Sequence, residues 1–269
     1  MKKLSARRRH PLAALVVLLF ALAATGGLYA AFAPADKAQA DTSSQSLAIQ
    51  EGQKLYSVGC ATCHGTSGKG TKTGPSLVGV GSAAVDFQVG TGRMPAQQQG
   101  PQIPEKKAIY NQAQVDQLAA YIASLGPGPV KPTSQQYSPD GADIANGGQL
   151  FRTNCSQCHN ASGKGGALTE GKYAPSLENA PPKYIYEAML TGPQNMPSFP
   201  DSTMPQKDKK DIIAYLGATD SDKAANPGGL ELGGIGPVSE GLFGWVFGLG
   251  ALIALAIWVA THTTKARKS

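Results

Sequence analysis

Cysteine is the residue with the clearest chemistry in this 269-residue sequence, and all four cysteines fall into one pattern. They read Cys60-Ala-Thr-Cys63-His64 and Cys155-Ser-Gln-Cys158-His159. A CxxC pair alone serves zinc, a disulfide or a thiol redox site. The histidine placed directly after the second cysteine, in both copies, selects covalent haem attachment instead. Each thiol adds across a haem vinyl group, and the adjacent imidazole ligates the iron. No βαβ pattern of the kind a thioredoxin-like site needs surrounds either motif. The sequence therefore predicts two covalently bound haem c groups, held by Cys60, Cys63, Cys155 and Cys158, with His64 and His159 as proximal ligands.

The elements that must position these residues are themselves repeated. Gly52, Leu55, Tyr56 and Ser67-Gly-Lys-Gly70 recur as Gly147, Leu150, Phe151 and Ser162-Gly-Lys-Gly165, at the offset of 95 that also relates the two CxxCH motifs. Pro75-Ser-Leu77 recurs as Pro175-Ser-Leu177 at an offset of 100, so the second copy carries a five-residue insertion. Thr91-Gly92…Met94-Pro95 then answers to Thr191-Gly192…Met196-Pro197, and Ala120-Tyr121 to Ala214-Tyr215. Each copy reads as helix, haem motif, Gly/Pro-rich loop, Met-Pro loop and closing helix. Val115, Leu118, Ala119, Ile122 and Leu125 keep helical spacing up to Gly126-Pro127, and Asp211–Leu216 is expected to form a shorter counterpart. No strand pattern of useful length is present.

A thioether as sixth ligand raises the haem potential. Met94 and Met196, each in a Thr-Gly…Met-Pro setting, are the candidates, with Met204 as the alternative to Met196 because it repeats the Met-Pro dipeptide. Met189 reads as packing. Lys69 and Lys164 read as solvated, and the stretches Gln97–Gln99 and Pro101–Pro104 read as loop with no function.

The net charge of +6 invites a nucleic-acid reading, which its distribution excludes. Residues 41–240 hold 15 Lys/Arg against 17 Asp/Glu, and the surplus sits in two basic tails that adjoin apolar runs. That is a topology signal, with the basic flanks cytoplasmic. The first run, Leu12–Ala33, fits either an export signal cleaved after Ala38-Gln39-Ala40 or a retained membrane helix. The second, Leu242–Thr261, is uncharged, has Trp245 and Trp258 toward its ends, and precedes Lys265, Arg267 and Lys268, so it reads as a membrane anchor. His10 and His262 flank these runs and receive no role. The chain then divides into a basic N-terminus and membrane or export segment (1–40), a first haem domain (46–126), a semi-rigid Pro-rich linker (127–141), a second haem domain (142–219), a Gly-rich tether (220–241), a transmembrane helix (242–261) and a basic tail (262–269).

Each repeat resembles the class I cytochrome c domain, an all-α fold wrapped around its haem. The match rests on Gly52/Tyr56 and Gly147/Phe151 before the cysteines, and on Gly74-Pro-Ser-Leu77 after them. The resemblance implies that the first helix crosses the last near Tyr121 or Tyr215, and that the Pro75 carbonyl accepts the second imidazole N–H of His64. The second copy departs from the pattern with Ala174 before Pro175. Two such domains followed by a C-terminal anchor resemble, over nearly the whole chain, the dihaem cytochrome c subunit of actinobacterial cytochrome bcc complexes. That resemblance implies an electron-transfer subunit of a menaquinol–cytochrome c reductase, without a bond-making site of its own. Its partners would be cytochrome b and the Rieske iron–sulfur protein, its acceptor cytochrome c oxidase, and its location the outer face of the membrane. Alternatives are a dihaem subunit of an oxidase, an anchored electron shuttle, and a dihaem peroxidase, against which methionine candidates for both irons argue.

Overall fold

The computed structural model describes residues 11–32, 37–98, 100–161, 163–220 and 237–266. The basic stretch Lys2–His10, Gln99, Ser162, most of the tether, and Arg267 and Lys268 lie outside them. The chain forms two units, Met1–Leu47 and Ala48–Ser269, each taken by itself below. The first contains helix α1 (Pro11–Phe32), which includes the apolar stretch Leu12–Leu28. Helix α2 (Lys37–Gly59) carries the chain into the second unit.

Two haem domains follow one plan. In the first, α2 leads into the short α3 (Ala61–His64), then α4 (Gly81–Gly90) and α5 (Gln112–Ser124). After a connecting turn of helix, α6 (Ser134–Tyr137), the second repeats the plan with α7 (Ile144–Asn154), α8 (Ser156–His159), α9 (Pro182–Thr191) and α10 (Gln206–Thr219). The closing helix of the second copy, at 14 residues against 13, is not the shorter one. Pro205 starts it a turn before its apolar run, since proline suits a helix N-terminus. Among the described residues the all-α expectation holds except for one ladder, β1 (Gly166–Ala167) against β2 (Tyr173–Ala174), built from the five-residue insertion.

Each domain is closed by a crossing of its first and last long helices, and glycine makes the crossing possible. A Cβ on Gly52 would overlap the Gln117 carbonyl of α5, and one on Gly147 would overlap the Asp211 carbonyl of α10. One turn on, Tyr56 meets Tyr121 at 5.1 Å between ring centroids, and Phe151 meets Tyr215 at 5.5 Å. These rings anchor two separate apolar clusters, one per domain. In the second domain Asp211 ties the crossing down. It accepts from the Asp143 backbone N–H and the Asn146 side chain, both at 2.8 Å, and pairs with Lys207 at 2.6 Å.

The linker is not a free spacer. The Pro129 carbonyl accepts from Ala83 N–H at 3.1 Å, Lys131 N–H donates to Ser82 Oγ, and Tyr137 packs on the second cluster. Around it the two domains share a seam. Phe87 of α4 meets Tyr184 of α9 edge-on at 6.3 Å. Asp86, fully buried, accepts from Gln112 at 2.9 Å and pairs with Lys183 at 2.6 Å and with Lys131 at 3.5 Å. Gln102 pairs both ways with the Tyr173 backbone, accepting at 2.7 Å and donating at 2.8 Å. Gln194 does the same with Ile103, both at 3.0 Å. The Pro101–Pro104 stretch is thus a docking loop, because its side chains and backbone find partners about 70 to 90 residues away.

Glu187, also fully buried, faces Asp86 across this seam, with no donor to either carboxylate oxygen among the described residues. Burial and the neighbouring carboxylate push its pKa up to about 9. Burial alone would raise Asp86 too, but bonds from Glu187, Lys183 and Gln112 hold it below the usual range. The pair keeps one proton.

The second unit ends in α11 (Pro237–Gly244), a π-helical turn at Trp245–Leu249, and α12 (Gly250–Ala266). The continuous helix Gly241–His262 is long and apolar enough to cross a membrane.

Two measurements check this architecture. Gly147→Ala should cost about 3 kcal/mol or prevent folding of the second domain, as overpacking against backbone does. Gly217→Ala, on α10 with open space around it, should be neutral or stabilising by about 0.5 kcal/mol in the same thermal melts. For Glu187, a raised folded-state pKa means stabilisation that is complete below its ordinary value of 4.5 and is lost as pH climbs toward about 9. The Tm of the wild-type chain should therefore fall between pH 6 and 9, and Glu187→Gln should flatten that slope.

Candidate haem sites

Each CxxCH motif occupies a single turn at the end of a helix. Cys60 N–H bonds the Tyr56 carbonyl at 2.9 Å and His64 N–H bonds that of Cys60 at 3.0 Å. Cys155 and His159 repeat both bonds, at 2.8 and 2.9 Å. The turn sends the first cysteine of each motif inward, where burial pushes its thiol up to about 11, and leaves the second exposed. Among the described residues no cluster of three His, Cys, Asp or Glu side chains could hold a metal ion, so the zinc reading has no supporting geometry.

The imidazoles are oriented by the loops that follow. His64 Nδ1 lies 2.8 Å from the Pro75 carbonyl and His159 Nδ1 lies 3.0 Å from that of Pro175. A carbonyl only accepts, so Nδ1 carries the proton and Nε2 keeps its lone pair for iron. Ala174 therefore does not cost the second copy this bond. The Ser-Gly-Lys-Gly loop delivers the proline. Gly70 and Gly165, at φ of 87° and 82°, donate to the carbonyls of His64 and His159 at 2.9 Å. Leu77 and Leu177 then bond back to Gly68 and Gly163 at 2.7 Å. One exchange separates the copies. Tyr56 Oη holds the Gly65 carbonyl at 2.6 Å, whereas Phe151 lacks the hydroxyl and Tyr215 Oη reaches the Ala161 carbonyl at 3.3 Å. Lys69 is exposed, but Lys164 is ion-paired with Glu178 rather than solvated.

The methionine loops follow helices α4 and α9, and the first of these helices was not visible in the periodicity. Thr91 and Thr191 close them by bonding the carbonyls of Phe87 and Glu187, at 2.6 and 2.7 Å. Gly92 and Gly192 then turn the chain at positive φ. Met94 is half-buried against the cluster that includes Cys60, and Met196 against the one that includes Cys155. Lys106 clamps the Met94 loop: its ammonium donates to the carbonyls of Gly92, Arg93 at 3.2 Å and Pro95 at 2.6 Å. No sequence signal marks that role, since Lys106 sits in an unremarkable Glu-Lys-Lys run. Met204 is placed differently. It is buried in the second cluster, and its carbonyl accepts from the buried Lys209 at 2.8 Å.

A cavity of about 550 Å³ opens over the second motif. Cys155, Cys158, His159, Met189 and Met196 line it together with apolar residues such as Leu177 and Phe199, and Met204 does not. Its size suits a flat ring system, its walls are largely apolar, and its polar groups include the two thiols and the imidazole that haem c requires. The first domain contributes Phe87, Thr91, Arg93, Gln102 and Glu105 to the same lining, and the buried Arg93 Nη1 has no hydrogen-bond partner there. The donor set fits the group.

Comparison with known proteins agrees with this geometry. A family model described as cytochrome c matches residues 49–126, and one described as cytochrome c oxidase, cbb3-type, subunit III matches residues 142–216. A cbb3-type cytochrome c oxidase subunit FixP of Sinorhizobium medicae is 28% identical over 130 residues, covering 45% of this chain and 42% of its own. The cytochrome bc1 complex cytochrome c subunit of Mycobacterium tuberculosis is 44% identical over 267 residues, covering 96% of this chain and 93% of its own. That of Corynebacterium diphtheriae is 44% identical over 284 residues, covering 97% and 99%. Two CxxCH cradles of one design, each inside a cytochrome c domain, bind two covalent haem c groups, and the full-length relationship makes this chain a member of the family of cytochrome bc1 complex cytochrome c subunits.

Proposed function

We propose that this chain carries electrons from the Rieske protein of a quinol–cytochrome c oxidoreductase to cytochrome c oxidase, with cytochrome b as a further partner in the complex. The observation that carries this reading is the relationship to bc1-complex cytochrome c subunits over 96% of the chain, both haem domains included. The protein's own residues do no bond-making chemistry in this role. They hold two redox groups at fixed places, set their potentials and keep water from the ring faces. Haem c supplies the one-electron couple when bound.

In this reading His64 and Met94 ligate the first iron, and His159 and Met196 the second. Support for Met196 over Met204 comes from the lining of the second cavity and from the Lys209 bond that keeps Met204 in the core. The helix Gly241–His262 anchors the chain, its basic flank lies in the cytoplasm, and the haem domains work on the outer face. The chain is multi-pass if the N-terminal segment is retained. The domain limits read from the sequence, 46–126 and 142–219, belong to the same proposal.

Purification in mild detergent through a tag on this chain should bring down cytochrome b, Rieske and oxidase subunits together, and recovery of a lone dihaem protein would favour an anchored shuttle. For the ligands, Met94→His and Met196→His should each lower one of the two midpoint potentials by on the order of a tenth of a volt, within the span of about 0.8 V that axial ligands command. Met204→Leu should leave both potentials in place. A shift with Met204→Leu and none with Met196→His would exchange the two assignments.

A further inference from the structure

We propose that Arg93 of the first haem domain binds a propionate of the second domain's haem, reaching across the seam into that haem's cavity. Arg93 follows Gly92 in the Met94 loop, and Lys106 holds its carbonyl, so its backbone belongs to the first site. Its side chain belongs elsewhere. The guanidinium lines the cavity that contains Cys155 and His159, lies 4.8 Å from the centroid of the Phe87 ring, and is only 10% exposed.

A guanidinium cannot shed its charge, so burying it demands an anion. The ion pair it has is with Glu105 at 3.3 Å through Nη2, and that carboxylate is 66% exposed, where solvent screens it. Nη1 is buried with no hydrogen-bond partner among the described residues. A half-used planar fork in a cavity for an acidic ligand is suited to a carboxylate, which it can take through paired N–H donors. Haem is that ligand. Its vinyl edge is fixed at Cys155 and Cys158, and its two propionates leave the ring at another edge. The other cation on the lining, Lys172, pairs with Glu170 at 3.2 Å.

This inference rests on haem c in the second domain and not on which complex the chain serves. Its test is redox titration of the full-length chain in detergent, with covalent haem counted in every variant. Arg93→Gln removes a positive charge that offsets a propionate, so it should weaken reduction of the second haem about tenfold, or about 59 mV for a one-electron couple. Arg93→Lys, which keeps the charge and loses the fork, should fall between. Glu105→Gln should leave that potential unchanged or raise it; a fall equal to that of Arg93→Gln would reduce Arg93 to the partner of a structural ion pair and overturn the proposal.

Two labels identify the haem affected. In a Cys155→Ala, Cys158→Ala chain with one covalent haem, Arg93→Gln should have no effect on the remaining potential. Should that chain not fold, Met196→His separates the second haem's step from the first, and Arg93→Gln should move the separated step. A shift confined to the first haem, or none with two haems retained, overturns the proposal. A variant that loses the second covalent haem while the first keeps its potential supports it.

Discussion

The imidazole of each CxxCH motif gives its Nδ1 proton to a proline carbonyl, and much of each domain is arranged to bring that carbonyl within 2.8 to 3.0 Å. Without this bond the ring could rotate or take the other tautomer, and Nε2 would lose its fixed aim. The Gly-Lys-Gly turn exists to fold the proline back under the histidine. The glycine-enabled helix crossing, with its stacked rings, supplies the rigid floor on which turn and CxxCH sit. Aromatic hydroxyls tie the floor to the loop, from Tyr56 in one copy and from Tyr215 in the other.

The two domains are alike where they hold haem and unlike where they meet. The insertion in the second copy makes the β1–β2 ladder, and that ladder offers backbone groups to Gln102. The first copy offers the Ile103 backbone to Gln194. Between them lies a buried cluster in which two lysines meet two carboxyl groups that keep one proton. Buried charge of this kind adds little net stability but punishes any misfit, so it fixes how the domains dock.

What could be read in the sequence and what could not divide along a physical line. Covalent haem attachment needs Cys, Cys and His within one turn, so it leaves a contiguous signature. The crossing glycines and aromatics repeat at a constant offset, and Met94 and Met196 share a Thr-Gly…Met-Pro frame. The seam leaves no such trace. Asp86, Arg93, Gln102 and Lys106 act on partners far along the chain or on backbone carbonyls, and nothing in their neighbours announces it. Helix α4, five small or glycine residues in ten, was hidden because burial on both faces erases the amphipathic period. The Pro-rich linker shows the limit from the other side, since its composition suits a semi-rigid spacer and says nothing of the Pro129 carbonyl and Lys131 being engaged by the domain it leaves.

The asymmetry of the seam gives the pair a polarity. A permuted chain with the second domain placed first would keep both helix crossings and both proline-held histidines. It would lose the linker's course, because Pro129 and Lys131, which bond Ala83 and Ser82 as the chain leaves the first domain, would no longer join the two. The duplication therefore no longer consists of interchangeable halves. What distinguishes the halves is written into the mortise between the domains rather than into either cradle.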